Sequence, residues 1–334
     1  MSARVGTPVA AGVAVAVTSA TTFGTSGPLA KALIDSGWSS LTVTLVRLGL
    51  GTVLIAVPML VVGRRRLRTI ANAPWLVIGY GVFGVAVTQL FFFNAVRHLD
   101  VAVALLIEYT APVLVVGYEW GIRRRRPPVL TLTGCVVALT GLCVVIAGGG
   151  SGLGVDPIGV LWGLGAAVGL AGYFIFATDD VVRSPGAVDP LALVCGGLVV
   201  GTTLIGLVGA TGLLPVRIGD ETVRLAGSTV PWWTATVAIA LVSTAIAYAA
   251  GVVAVRSLGA TVASFVSLLE VVSSAVFSWL LLGQTITAWQ MVGAATLLAG
   301  VVGVQIGGAG VRRSDARSVA PTEPTGTAPS PTRT

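Results

Sequence analysis

Three charged residues lie well away from the ends of long apolar stretches of the sequence, where charge is energetically expensive. They are Arg47 in "VTLVRLGL", Glu108 in "LLIEYTAPVL" and Glu270 in "SLLEVVSS". Charged side chains inside a membrane are rare, face the protein interior or a water-filled cavity, and mark pathways for protons, ions or substrates. These three residues are therefore the first candidates for ligand binding or proton transfer.

Arg47 and Glu108 are predicted to lie at matching depths. Glu108 lies seven residues after 101 and Arg47 six residues after 41, and each of those positions begins an apolar stretch. At a rise of 1.5 Å per residue, both charges lie about 10 Å from the same membrane face. In one interpretation, a fixed salt bridge satisfies both charges and joins two helices. In the other, the pair lines a central cavity, where Arg47 meets a substrate carboxylate and Glu108 meets a substrate ammonium group or a proton.

Glu270 lies about ten residues into its apolar stretch, with no opposite charge at that depth in the sequence. Desolvation favours the neutral form of such a carboxyl group, so Glu270 is expected to hold a proton at neutral pH. That property suits a proton-coupled carrier. The alternative is a neutral glutamic acid whose hydrogen bonds only hold helices together.

Four uncharged residues complete the set of candidates for substrate binding or proton coupling. They are Gln89, Tyr109, Tyr173 and Tyr248. Each can donate and accept a hydrogen bond, although each can equally serve helix packing. Pro112, three residues after Tyr109, is predicted to interrupt helical hydrogen bonding there and to provide a hinge.

The elements that must position these residues are membrane-spanning helices. Of the 334 residues, 55% are hydrophobic and only 10% are charged, whereas a soluble protein carries about 25% charged residues. The apolar stretches are continuous and about 20 residues long, which predicts helices rather than a membrane β-barrel. We predict an all-α integral membrane protein with ten transmembrane helices, at about 8–28, 41–62, 75–94, 101–121, 129–148, 158–178, 191–210, 232–252, 260–282 and 288–308.

The placement of arginine predicts the orientation in the membrane. Arginines are concentrated in "GRRRLR" after the second stretch and in "RRRR" after the fourth. By the positive-inside rule, both termini are expected in the cytoplasm of a multi-pass protein of the cell membrane. The net charge of +7 therefore reflects topology and contact with the lipid bilayer, and we expect no nucleic-acid partner.

The sequence repeats itself at an offset of 159 positions. "AVRHLDVAVA" (95–104) then lies over "AVRSLGATVA" (254–263), and Gln89 lies over Tyr248. We predict two five-helix repeats, at 8–149 and 155–308, which have opposite orientations because five is odd. Inverted repeats are typical of transporters that alternate access around a central site. The Pro/Ser/Thr-rich segment 309–334 is predicted to be a disordered cytoplasmic tail.

Several motifs resemble the EamA-type branch of the drug/metabolite transporter superfamily. They are the two five-helix halves, "AVALLIEYTAP" (102–112), which is similar to threonine/homoserine-type exporters, and "LLLGQ" followed by "WQMVGAATLLAGVVGV". Gln284 stands where a glutamate is usual and Val271 where proline is common. The resemblance implies a secondary active transporter, usually an exporter of small metabolites or amino acids, with no bound cofactor.

Two alternatives to an exporter of metabolites are compatible with the sequence. A multidrug or other small-molecule carrier is the nearest alternative, and a membrane scaffold without transport is an alternative from another class. An enzyme is not expected, because the sequence holds one histidine and lacks metal-binding motifs such as HExxH and a nucleotide-binding P-loop. Small-residue faces such as "GGLVVG" predict close helix packing, within one chain or in a homodimer.

Overall fold

The computed structural model describes residues 9–61, 63–124, 126–147, 156–177, 188–258 and 260–318. Most of these residues are helical. Nine helical stretches in the described part of the chain are long and apolar enough to cross a membrane. They correspond to nine of the ten predicted spans, while the predicted span at 8–28 consists of two shorter helices.

The helices and strands have the following bounds. The helices are α1 (Val9–Gly24), α2 (Ser26–Asp35), α3 (Ser40–Val61), α4 (Arg64–Leu67), α5 (Pro74–Gly79), α6 (Thr88–His98), α7 (Val101–Glu108), α8 (Ala111–Gly121), α9 (Val129–Ala147), α10 (Pro157–Ala177), α11 (Pro190–Ala210), α12 (Trp232–Ala240), α13 (Ala247–Leu258), α14 (Ala260–Ser267), α15 (Leu269–Leu282) and α16 (Ala288–Ser318). The strands β1 (Thr222–Leu225) and β2 (Ser228–Pro231) form an antiparallel hairpin. Residues Arg68–Asn72 form a 3-10 helix, and Tyr80–Val87 and Leu241–Ile246 are π-helical.

Two helix breaks follow from proline. The break between α7 and α8 lies three residues before Pro112, as predicted, and the break between α1 and α2 lies three residues before Pro28. A proline has no N–H and its ring clashes with the carbonyl four residues earlier. Gly24 and Glu108, the last residues of α1 and α7, each lie four residues before one of these prolines.

A third break separates α14 from α15 and has no proline. It lies at Leu268, and Leu268 is equivalent to Tyr109 under the 159-residue offset. Val271 occupies the position of Pro112, so the break persists here without the residue that causes it in the first repeat. The π-helical segments are also equivalent, because Tyr80–Val87 aligns with 239–246 and overlaps Leu241–Ile246. Local irregularities are therefore shared by the two repeats.

Helices α9 and α16 pack against each other through glycines in a reciprocal pattern. A Cβ atom on Gly134 would lie 2.8 Å from the carbonyl oxygen of Gly300, and one on Gly141 would lie 2.7 Å from that of Gly293. The offset pairs Gly134 with Gly293 and Gly141 with Gly300, so the same contact occurs twice in opposite directions. Equivalent helices that pack antiparallel are expected of inverted repeats. These small-residue faces are used within the chain, and the homodimer stays a prediction.

The loops predicted to lie outside meet at one end of the bundle. The Asp220 amide donates to the Ser36 carbonyl over 2.8 Å, and the Ser39 amide donates to the Arg217 carbonyl over 3.1 Å. At the hairpin, the Ala226 amide donates to the Leu281 carbonyl over 2.8 Å. These segments therefore share one end of the helix bundle, and which side of the membrane that end faces stays a prediction.

The final helix extends further than the predicted last span. The span was predicted to end near 308, whereas α16 continues to Ser318. No proline or glycine occurs between 311 and 318, so nothing in that stretch interrupts the helix. The remaining part of the predicted tail, 319–334, lies outside the described residues.

Candidate functional site

A small cavity lies where the broken helices of both repeats come together. Its volume is about 30 Å³, which is room for roughly one or two water molecules. The lining residues are Phe23, Ser26, Gly27, Arg47, Gln89, Phe92, Leu105, Glu108, Glu270 and Ser274. The three ionisable residues singled out by the sequence thus line one cavity.

The helix breaks explain why backbone and side chains can meet here. Ser26 and Gly27 follow the break in the first span, and Glu108 directly precedes the break between α7 and α8. Gly24, at the end of α1, packs against α15, and a Cβ atom there would lie 3.0 Å from the Glu270 carbonyl oxygen. Discontinuous helices at a central site are typical of secondary transporters.

Arg47 is held by uncharged partners from three other spans. Its Nε donates to Thr244 Oγ1 over 3.1 Å, and its Nη2 donates to the Ser243 carbonyl over 3.2 Å. Its Nη1 donates to Ser26 Oγ and to Gln89 Oε1. The residue is only 2% exposed. Arg47 therefore connects its own span with residues on both repeats.

An aromatic ring completes the surroundings of this guanidinium. The Arg47 Cζ atom lies 5.4 Å from the centroid of the Phe93 ring, within the range of a cation–π contact.

The π-helical segment Leu241–Ile246 supplies Ser243 and Thr244, two of the partners of Arg47. Thr244 Oγ1 in turn donates to the Ile239 carbonyl, five residues earlier, which orients its oxygen to accept from Arg47. Such π-helical turns are frequent at functional sites.

The salt bridge offered as one interpretation of Arg47 and Glu108 is not formed. Among the described residues, the ion pairs within 4.0 Å do not include these two side chains. Neutral oxygens already accept hydrogen bonds from the guanidinium. Arg47 and Glu108 therefore line the same cavity without forming an ion pair. Both side chains line one cavity, whereas their direct pairing is not observed, and their equal depth in the membrane stays a prediction.

Glu108 is buried but retains free hydrogen-bonding capacity. Its exposed fraction is 7%, and within the described residues its carboxylate has no hydrogen-bond partner. The nearby hydroxyl of Ser274 is 1% exposed and likewise lacks a partner in the described part of the chain. Both groups line the cavity. A buried polar group normally finds a partner, and water or a ligand in the cavity would supply one to both groups.

Glu270 is connected to the break in the span opposite. The Tyr109 hydroxyl lies 3.0 Å from Glu270 Oε2 and 3.2 Å from the carbonyl oxygen of Ser267. Ser267 ends α14, where a helix leaves carbonyl groups without intrahelical partners. Tyr109 therefore joins the two equivalent helix breaks through one hydroxyl group.

The remaining predicted residues differ in their distance from the cavity. Gln89 lines it and accepts from Arg47. Tyr248 lies one residue behind it, packed edge-on against Phe23 with ring centroids 4.9 Å apart. Tyr173 does not reach the cavity and packs against Tyr80 at 5.3 Å.

Sequence reasoning missed several members of the site. Ser26, Ser243, Thr244 and Ser274 are small hydroxyl residues, which occur throughout membrane helices and carry no distinguishing signal. Ser26 alone had a usable signal, because it lies two residues before Pro28. In the described residues, no cluster of His, Cys, Asp or Glu is suited to hold a metal ion.

Comparisons with known proteins agree with this architecture. The sequence model of the EamA-like transporter family matches the chain twice, at residues 10–147 and 157–306. An uncharacterized inner membrane transporter of Salmonella typhimurium, YicL, is 24% identical over 288 residues, which is 84% of this chain and 90% of that protein. An uncharacterized transporter of Bacillus subtilis, YwfM, is 29% identical over 117 residues, which is 35% of this chain and 39% of that protein.

A solved crystal structure shares the fold. It superimposes with a TM-score of 0.58 at 20% sequence identity, and the match covers 92% of this chain and 99% of the solved one. At that level of identity the likeness concerns the fold alone. It shows that the arrangement of both halves has an experimental counterpart.

Proposed function

The chain belongs to the EamA-like transporter family, and from that premise we propose that it is a secondary active transporter that exports small metabolites or amino acids across the cell membrane. The observation that supports this proposal is the cavity lined by Arg47, Glu108 and Glu270. Charged groups inside a membrane are maintained where they handle substrates or protons. Both termini lie in the cytoplasm in this proposal.

Alternating access is the proposed mechanism. In this proposal the cavity widens toward one side of the membrane at a time to admit the substrate. The breaks at Thr25, Tyr109 and Leu268 adjoin the cavity and are positions where helix segments can tilt independently. The antiparallel α9–α16 contact provides a fixed seam about which the two repeats can move.

Proton coupling through Glu270 is the second part of the proposal. When Glu270 is ionised, the Tyr109 hydroxyl donates to its carboxylate. When Glu270 is protonated, its own O–H donates to the Tyr109 oxygen, and Tyr109 then donates to the Ser267 carbonyl. Proton binding thereby changes the hydrogen bond between the two helix breaks, which links protonation to helix movement.

Flux into proteoliposomes tests this proposal. Purified protein is reconstituted with a panel of amino acids and small amines, and uptake is followed with and without a pH gradient. We expect gradient-dependent flux of one solute class, and its loss in Glu108→Gln with the folded protein retained. Glu119→Gln is the matched control, because Glu119 lies on the same span but is paired with Arg123 at the exposed end.

Two results would contradict the proposal. If folded wild-type protein moves no solute of the panel, the transport function fails. If Glu108→Gln instead lowers yield and thermal stability while the folded fraction transports normally, Glu108 is a structural residue and the cavity is not the site.

A further inference from the structure

We propose that the cavity recognises the positively charged amine of its substrate through Glu108 and Ser274, and that Arg47 is a positioning residue rather than a receptor for a substrate carboxylate. This inference rests on the proposed transport function and names the substrate class of the same site. It selects one of the roles that the sequence left open for Arg47.

The hydrogen bonds of Arg47 leave too few free N–H groups for a bidentate bond to a substrate carboxylate. A guanidinium has five N–H groups in a fixed fork. Four of the five are used, by Thr244, Ser26, Gln89 and the Ser243 carbonyl. A carboxylate that bound Arg47 in the usual bidentate manner would have to displace at least one of these buried partners. The single N–H left on Nη2 cannot form such a fork.

Glu108 and Ser274 supply the cavity with oxygens that can accept hydrogen bonds. Both residues line the cavity, the Ser274 hydroxyl is buried without a partner among the described residues, and Glu108 is 7% exposed and makes no hydrogen bond among them. A carboxylate accepts hydrogen bonds only, and a serine hydroxyl can accept as well as donate. An ionised Glu108 is therefore satisfied only by a ligand that brings donors, and an ammonium group brings three, one of which Ser274 can accept.

Two aromatic residues also line the cavity and favour a cationic ligand. Phe23 and Phe92 line the same cavity as Glu108. Aromatic faces attract ammonium groups and offer nothing comparable to a carboxylate. A carboxylate, a hydroxyl and phenyl rings together form a recognised kind of amine site.

The charge of the cavity points the same way. It contains one guanidinium and two carboxyl groups. With Glu270 protonated, the guanidinium and the ionised Glu108 balance each other. When Glu270 releases its proton the cavity carries a net negative charge, which an ammonium group or a proton neutralises and an anion does not. Substrate amine and proton therefore compete for one pool of negative charge, which is the requirement for exchange of one against the other.

Paired derivatives of the same amino acid test the inference. Amino-acid amides keep the α-ammonium and lose the carboxylate, while N-acetyl amino acids keep the carboxylate and lose the ammonium. Threonine, leucine and phenylalanine are tested as free acid, amide and N-acetyl compound, by competition for flux and by ligand-induced thermal stabilisation. We expect the amides to act like the free amino acids and the N-acetyl compounds to be at least tenfold weaker, since a charge-assisted hydrogen bond is lost.

Variants of Glu108 and Ser274 measure how much each residue contributes to binding of the amine. We expect Glu108→Gln to weaken amide binding roughly tenfold or more and Ser274→Ala to weaken it about two- to tenfold, with Glu119→Gln unchanged. N-acetyl compounds that bind while amides do not would overturn the inference and leave the transport function standing. Absence of flux for every solute, from folded protein, would remove the transport function and this inference together.

Discussion

The Tyr109 hydroxyl lies 3.0 Å from Glu270 Oε2 and joins two helix breaks that are equivalent in the internal repeat. The first break follows from Pro112, while the second has Val271 at the matching position. The carbonyl of Ser267 at the second break accepts from the same hydroxyl over 3.2 Å. A side chain of one repeat thus takes part in stabilising the irregular backbone of the other.

Tyr109→Phe is expected to uncouple transport from protons. The variant keeps the ring but loses the hydroxyl that connects Glu270 to the Ser267 carbonyl. We expect flux driven by a pH gradient to fall several-fold, while exchange of labelled for unlabelled solute stays near the wild-type rate. Glu270→Gln should have the same effect, and the double variant should be no worse than Glu270→Gln alone, because the two residues act as one unit. Equal loss of both kinds of flux would contradict this role.

Arg47→Gln is expected to destabilise the fold. The change removes a buried guanidinium with four hydrogen bonds and leaves Thr244 and Ser26 without their donor. We expect a loss of about 2–4 kcal/mol, seen as a thermal midpoint several degrees lower in detergent. Arg65→Gln is the control, because Arg65 is exposed. An unchanged midpoint together with weaker substrate binding would instead identify Arg47 as a substrate ligand.

The sequence was sufficient to locate the ionisable residues of the site but not their partners. Arg47, Glu108 and Glu270 stand out because charge is rare in an apolar span, and Pro112 marks a break by its own chemistry. The partners of Arg47 depend on packing between spans, since Thr244 lies 197 positions away. No local pattern encodes such a contact.

Tyr109, Tyr173 and Tyr248 are the predicted residues that do not line the cavity, and Tyr173 packs against Tyr80 instead. Tyr173 is on α10, which is apolar on all sides, so its sequence contains no periodic face that tells interior from lipid. The contacts of Tyr173 come from the π-helical segment Tyr80–Val87, where Tyr80 and Gly84 meet its ring. The break at Leu268 was not predicted, because no proline lies near it in the sequence. The Tyr109 hydroxyl, from another span, hydrogen-bonds the Ser267 carbonyl there.

Gly141→Ala is expected to disrupt the seam between α9 and α16. A Cβ atom at this position would lie 2.3 Å from the backbone nitrogen of Leu297, and backbone cannot move aside as a flexible side chain can. We expect a loss of about 1–3 kcal/mol or more, measured as folded yield and thermal midpoint. Gly117→Ala is the matched control, because no atom lies within 4 Å of a Cβ there. Equal behaviour of the two variants would show that the close approach is not required.

Asp156→Asn is expected to destabilise the protein in a pH-dependent manner. The pKa of Asp156 lies below its ordinary value because the Ile158 amide donates to the carboxylate and because His98 contributes a further hydrogen bond. The His98 Nδ1 atom lies 2.8 Å from Asp156 Oδ2, and this contact joins the end of α6 to the start of α10. A group with a depressed pKa in the folded state stabilises the protein above its unfolded pKa, and that contribution is lost as pH falls through the folded pKa.

Thermal midpoints measured across pH check this prediction. At neutral pH, the midpoint of Asp156→Asn should lie below that of the wild type. The difference should shrink as the pH falls below about 4, the ordinary pKa of aspartate, since the wild-type carboxylate then becomes protonated. A difference that stays constant from neutral to acid pH would mean that the asparagine disturbs packing at the start of α10, and that the charge of Asp156 does not stabilise the contact with His98.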